Sequence, residues 1–323
     1  MSDEQLHSIL SNLKLPVIHH AALKDHTTFQ LGGPCKAMIT CRNAKEAVSA
    51  VTALRTGNVP FLLMGFGSNI LASDHGVDRV IIRYSSDTPD ISRQHDEILC
   101  DAATQLDHLV EYAIKNNFDN MTALSGIPGT VGGAITGNAG AYGKQISNDI
   151  TSIIVLTPEN NVIAVPKDRI RFDYRDSDIK HNGMIILAAI FALPQGDSAA
   201  MQKDREEKLK TRESKHGNWK TTPCAGSFFR NVEPTSKAGP RQSAGWFLEE
   251  AGAKNITVGN AHPYAHHANI VTRDDGATAQ DVYALTRQMA NMVKAKFQVD
   301  LIREVRLLGK FDGAENCHEQ GFW

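Results

Sequence analysis

Residues 125–143, SGIPGTVGGAITGNAGAYG, carry glycines at 126, 129, 132, 133, 137, 140 and 143 among small apolar side chains. Glycine reaches backbone angles closed to other residues and lets the main chain approach a ligand closely. Asn138 and Tyr142 add polar atoms, but the stretch contains no Lys or Arg, so an anion held here would be cradled by amide N–H groups. A pyrophosphate fits that description. One or two glycines would mark only a close crossing of packed elements; a run this dense reads as a ligand loop.

Upstream, residues 4–13 read as a short amphipathic helix, and Gly32-Gly33-Pro34 form a turn into a strand at 37–41. Asn43 with Glu46 three residues on is a capping-box signature for a helix over 44–56, and a strand at 61–64 follows Pro60. This βαβ pattern delivers the chain to a second glycine loop, Gly65-Phe66-Gly67-Ser68-Asn69, which taken alone would be a tight reversal. Further strands are expected at 80–83 and 98–101, and a helix at 106–116 with apolar residues at 106, 109, 110, 113 and 114.

Downstream, strands are expected at 150–156, 162–165 and 185–193. Residues 197–217, DSAAMQKDREEKLKTRESKHG, form a helix dense in mixed charge, read as a solvated connection between two domains with a boundary near residue 195. Beyond it come a strand at 225–229, a helix at 243–251 ended by Gly252, a strand at 268–272, a long helix over 279–297 capped by Thr278, and a closing strand at 301–308.

The 323 residues exceed one ordinary core, so two or three domains are expected. A net charge of -2 argues against a nucleic-acid or membrane-surface partner and favours small-molecule substrates. With no bilayer-length apolar run and an acidic, polar N-terminus, a cytoplasmic location is expected. The five cysteines (35, 41, 100, 224, 317) lack any CxxC pair and read as reduced thiols. HPYAHH, with His262, His266 and His267, has no recognised ligand spacing, so no metal is expected.

Neither glycine loop is a phosphate-binding GxxxxGK[ST] motif, and neither has the strand–GxGxxG–helix context of a dinucleotide fold. Together with LLMGFGSNIL, FDYRDSDIK, CAGSFFRN, SAGWFLEEAG, HHANIV and DLIREVRLLG, the 125–143 stretch resembles, in that family's order, UDP-N-acetylenolpyruvoylglucosamine reductases, from about residue 27 to 309. The resemblance implies an α+β fold: an N-terminal lead-in (1–22), a two-lobed FAD-binding domain of the vanillyl-alcohol-oxidase/p-cresol-methylhydroxylase type (23–195, lobes about 23–95 and 96–195) and a C-terminal α/β substrate-binding domain (196–323). It also implies non-covalent FAD, NADPH as hydride donor, and reduction of an enolpyruvyl UDP-sugar to UDP-N-acetylmuramate by a monomer. An FAD oxidase or dehydrogenase acting on another small substrate is the alternative, since one flavin fold hosts several chemistries.

The residues the resemblance implies for the cofactor are Gly65, Gly67, Ser68 and Asn69 in the first loop, and Ser125, Gly126, Ile127, Pro128, Gly129, Thr130, Gly132, Gly133, Asn138, Gly140 and Ala141 in the second. For catalysis it implies Ser227 as proton donor, Arg175 facing the substrate carboxylate and enol, and Glu304 completing the set; Asn231 would touch the substrate diphosphate. Read without the family, Ser227 is a hydroxyl satisfied by a neighbouring strand, Arg175 a surface ion pair with Asp173 or Asp176, and Asn231 a turn residue. Glu304 stands out: on a strand over 301–308 it shares a face with Ile302, Arg306 and Leu308, placing a carboxylate beside apolar neighbours. The sequence departs from the family at Phe66, where a small residue is usual, at Val232, where proline is, and at Gln298, where glycine is. Cys224, three residues before Ser227, would make activity sensitive to thiol reagents if partly exposed.

Overall fold

The computed structural model describes residues 3–233 and 241–313. Its first sheet has four strands in the order Val17–His19, Cys35–Cys41, Val77–Tyr84, Phe61–Met64. The last three run parallel, which requires a crossover, and the Ala44–Thr56 helix supplies it. Asn43 caps this helix through Oδ1, which accepts from the Glu46 amide at 3.0 Å, while the Glu46 carboxylate accepts from the Arg42 amide at 2.7 Å, one residue earlier than a reciprocal capping box would have it. Its Ala47, Ala50, Val51 and Leu54 share a core with Ile39, Val80 and Ile82. Each fully buried Val, Leu or Ile of this kind contributes about 1.5–3 kcal/mol.

The second sheet is antiparallel, in the order Val162–Pro166, Ile150–Leu156, Ile185–Ala192, Glu97–Asp101, Ile91–Gln94. Against it lies the Leu106–Lys115 helix, with Leu106, Leu109, Val110, Ala113 and Ile114 buried, the face its sequence period marks. Both sheets contribute to one continuous core.

The C-terminal part packs the Ala244–Glu250 and Ala279–Phe297 helices on a hairpin of Ala261–Tyr264 and His267–Arg273. Its core takes in Phe29, Leu31 and Leu71 from the N-terminal region. The Ala279–Phe297 helix is capped twice, by Thr278 and by Asp74, whose two carboxylate oxygens accept from the amides of Ala279 and Gln280 at 3.0 and 3.1 Å. Gln298 ends that helix at φ 57°, the left-handed geometry for which glycine is the usual residue.

Two expected strands differ. Residues 225–229 form isolated bridges, Ser227 to Ile270 and Phe229 to Arg303, instead of a ladder. The 301–308 strand contracts to Arg306–Leu308, which pairs in parallel with Ile70–Ala72, directly after the first glycine loop. Ile302 is consequently 61% exposed, and the alternation that placed it beside Glu304 on one strand face does not hold. Among the described residues, no helix is long and apolar enough to cross a membrane.

Candidate active site

The two glycine loops meet. Ser68 of the first donates its hydroxyl to the Pro128 carbonyl of the second at 2.6 Å, and a side chain at Gly65 would lie 2.6 Å from Thr130 Oγ1. Gly67, at φ 75°, leaves no room for a Cβ, which would fall 2.3 Å from the His26 carbonyl oxygen, so the 65–69 loop can lie flush on residues 26–28 only with glycine there. Thr130 caps the short Val131–Thr136 helix by accepting from the Gly133 amide. Phe66 lies edge-on to Trp219 at 5.5 Å, which accommodates its bulk in a loop where a small residue is usual.

Within the second loop, Ser125 and Asn138 are both fully buried, and Ser125 Oγ and Asn138 Oδ1 have no hydrogen-bond partner among the described residues. Burying such groups unpaired costs about 1–3 kcal/mol each, so the stretch is shaped to receive polar atoms from outside the chain. The Asn138 amide nitrogen is committed, donating to Gln145 Oε1 and to the Asp173 carbonyl at 2.5 and 2.8 Å.

The Ser198–His216 helix is more than the solvated connection its charge suggests. Arg205 is 6% exposed and grips Asp107 with two bonds of 2.8 and 2.7 Å, plus Glu111 at 2.8 Å. Asp107 also accepts from the Gly126 amide at 2.9 Å. Burial pushes the Asp107 carboxyl up, but the Arg205 fork and the Gly126 amide outweigh it and hold it below its usual range. Arg212 lies across Gly126 and donates Nε to the Ser125 carbonyl at 3.1 Å. A loop without a cation of its own therefore acquires one from a helix far along the chain, and burial lowers the pKa of that guanidinium. The sequence signal for it was absent, because Arg212 differs in nothing from the exposed cations around it.

Arg175 ties this cradle to the rest of the site. It sits at φ 56°, donates Nη2 to the Gly140 carbonyl at 2.9 Å and pairs Nε with Glu304 Oε1 at 2.9 Å. Its partner is neither Asp173 nor Asp176. Lys180 and Arg230 gather at its own carbonyl, at 2.6 and 3.4 Å. Burial raises the Glu304 pKa above the ordinary carboxylate value, opposed by Arg175, Arg230 and Lys180. It lowers Lys180, against Asp176 at 3.4 Å, and brings Arg306 down to about 10. Four cations thus surround Glu304 and Asp176, and Arg230 Nε is buried without a hydrogen-bond partner among the described residues. Half-buried positive charge gathered in this way favours a bound anion.

Ser227 stands on the neighbouring segment. The Glu304 amide donates to the Phe228 carbonyl at 2.8 Å, and Asn69 of the first glycine loop donates Nδ2 to the Glu304 carbonyl at 3.2 Å. The Ser227 side chain is partly exposed, and its hydroxyl has no hydrogen-bond partner among the described residues. Beside it Gly226, at φ 74°, has no atom of the described residues, its chain neighbours aside, within 4 Å of where a Cβ would stand. Asn231 instead spends its side chain on the Ala244 amide at 3.2 Å, and its own amide donates to the Tyr174 hydroxyl at 3.4 Å.

His262 pairs with Asp274 at 3.5 Å, His266 lies against Tyr264, and His267 against His216. No group of three metal-binding side chains converges among the described residues. Cys35, Cys41, Cys100 and Cys224 are free and buried; Cys317 lies outside the described residues. Burial raises the Cys224 thiol, which is 6% exposed, so the partial exposure needed for reagent sensitivity is missing. Iodoacetamide at neutral pH is expected to leave Cys224 unmodified in the folded protein while labelling it after unfolding; peptide mapping that finds it alkylated in the folded state contradicts this.

Residues 218–308 match the family model of the UDP-N-acetylenolpyruvoylglucosamine reductase C-terminal domain, and residues 35–165 that of an FAD binding domain. The chain is 32% identical over 291 residues to a UDP-N-acetylenolpyruvoylglucosamine reductase of Clostridium tetani, covering 89% of this chain and 91% of that one. With the enzyme of that name from Caldanaerobacter subterraneus it shares 30% identity, over 95% of this chain and 98% of the relative. Its fold resembles the crystal structure of the corresponding reductase (MurB) from Thermus caldophilus, with a TM-score of 0.73 and 25% identity over 92% of this chain and 99% of that one.

Proposed function

Because the chain belongs to the UDP-N-acetylenolpyruvoylglucosamine reductase family, we propose that the joined glycine loops hold FAD and that Ser227, Arg175 and Glu304 act on the substrate beside it. The protein is an FAD-dependent oxidoreductase of peptidoglycan precursor synthesis, forming UDP-N-acetylmuramate at the expense of NADPH. The observation that carries the site assignment is Arg175, which bonds Gly140 of the second loop and Glu304 at once.

The cradle fits the cofactor. Ser125 Oγ and Asn138 Oδ1 lack partners among the described residues, the glycines at 65, 67 and 129 allow the main chain to approach a ligand closely, and Arg212 adds a cation at Ser125; a dinucleotide with a diphosphate supplies the complementary groups. Held there, FAD would supply the hydride chemistry, between NADPH and the terminal vinyl carbon of the enolpyruvyl group. The residues of the chain do the rest. Electron density left on the inner carbon spreads into the substrate carboxylate, and Arg175, with its planar fork, stabilises that charge. Ser227 transfers its hydroxyl proton to the inner carbon, a step open to so weak an acid only where neighbouring groups support the transient alkoxide. Glu304 holds Arg175 in register and, through its amide, the Phe228 carbonyl next to Ser227.

In the same proposal residues 23–195 bind the cofactor, 196–323 complete the substrate site, Asn231 lies at the substrate diphosphate, and the enzyme works as a cytoplasmic monomer. The purified protein is expected to be yellow with one FAD per chain, to bleach anaerobically with NADPH, and to recover its colour in a single turnover with UDP-N-acetylenolpyruvoylglucosamine. Rapid reoxidation by oxygen with no response to that sugar would instead mark an oxidase.

A further inference from the structure

The segment bearing Ser227 is not part of a sheet, so something other than a ladder must fix it. Pairing with the His267–Arg273 strand begins at the Ser227 to Ile270 bridge and continues with the Phe228 amide donating to the Asn269 carbonyl at 2.8 Å. There the ladder stops. A regular antiparallel pair would next join the Asn269 amide to the Phe228 carbonyl. Instead the Asn269 amide donates to His267 Nδ1 at 3.2 Å, and the Phe228 carbonyl turns the other way to accept from Glu304 and Val305 at 2.8 and 3.3 Å.

The side chain of Asn269 fills the gap. Its Oδ1 accepts from the Phe229 amide at 2.9 Å and its Nδ2 donates to the Phe229 carbonyl at 2.8 Å. A carboxamide has the donor and acceptor of a peptide unit, so Asn269 stands in for the missing strand residue. At 2% exposure, both bonds are shielded from water. The two bonds at Phe229 leave the Phe228 carbonyl free for Glu304, with Ser227 one residue away.

We propose that Asn269 is a positioning residue for proton delivery: its carboxamide sets where the Ser227 hydroxyl stands relative to Glu304. This rests on the reading of Ser227 as proton donor. Displacing a reacting group by about 1 Å costs on the order of 100-fold. Asn269→Ala is therefore expected to slow anaerobic reoxidation of the reduced enzyme by the enolpyruvyl sugar about 100-fold, with flavin reduction by NADPH and FAD retention unchanged. In a Ser227→Ala background the same substitution is expected to change reoxidation by no more than about twofold, since a residue acting through Ser227 has nothing left to position. Asn269→Asp, which keeps the size and the acceptor but loses the Nδ2 donor, is expected to follow Asn269→Ala in the same half-reaction and carries the test should the alanine variant fail to hold FAD. Equal losses in both half-reactions, or a full additional penalty on top of Ser227→Ala, overturn the inference and leave the Ser227 reading standing. Wild-type reoxidation by the Ser227→Ala variant alone removes that reading, and the inference with it.

Discussion

Replacing Ser227 by alanine slows reoxidation of the reduced enzyme by the enolpyruvyl sugar by about 10²–10⁴-fold, the range a positioned proton donor contributes, while NADPH still bleaches the flavin at close to the wild-type rate. The asymmetry follows from where the hydroxyl stands. It has no hydrogen-bond partner among the described residues, and it is partly exposed. Losing it breaks no bond of the fold, so stability and cofactor content are expected to remain. Hydride uptake from NADPH needs no proton from the chain, whereas the carbon next to the substrate carboxylate must receive one. Anaerobic stopped-flow measurement of the two half-reactions separates these effects; a variant that reoxidises at the wild-type rate sinks the assignment.

Arg175→Met is the second large effect. It removes the bond to Gly140 and the pair with Glu304 in one substitution, and loss of a preorganised charge at the developing anion costs about 10²–10³-fold in rate. Lysine at this position restores charge but cannot reach both partners with a planar fork, so Arg175→Lys is expected to recover little. The pH dependence changes in a defined direction. Burial already lifts Glu304 above the usual carboxylate range, with Arg175 foremost among the groups opposing it; without that guanidinium the carboxyl rises further. A carboxyl whose folded pKa lies above its unfolded one favours the folded state at low pH, and that contribution is lost as pH rises through the folded pKa. Thermal unfolding should therefore show Arg175→Met falling further behind the wild type as pH rises above the ordinary Glu range, and Glu304→Gln should abolish the trend. A gap between the two proteins that is constant with pH contradicts it.

Much of the architecture could be read from pattern. The helix at Leu106–Lys115 buries the five positions its period marks, and Asn43 and Thr278 cap the helices they precede. The short strands Val17–His19, Ile70–Ala72, Ile91–Gln94 and Ala261–Tyr264 carry too few residues for a period to register. Glu304 was singled out by a strand face that does not exist, since residues 302–305 lie outside the ladder and the carboxylate sits among cations, not apolar groups. The charged run at Ser198–His216 hid Arg205 and Arg212, because burial of an arginine depends on partners such as Asp107 and the Ser125 carbonyl that lie far away in the chain. Asn269 was invisible for a related reason: its role exists only where two segments diverge.

The strand Arg306–Leu308 lies alongside Ile70–Ala72, and Asn69 reaches the carbonyl of Glu304. A nascent chain on the ribosome exposes the 65–69 loop long before either partner has been synthesised. The 65–69 loop therefore reaches its finished surroundings only after residues 304–308, 235 residues further along the chain, have been made.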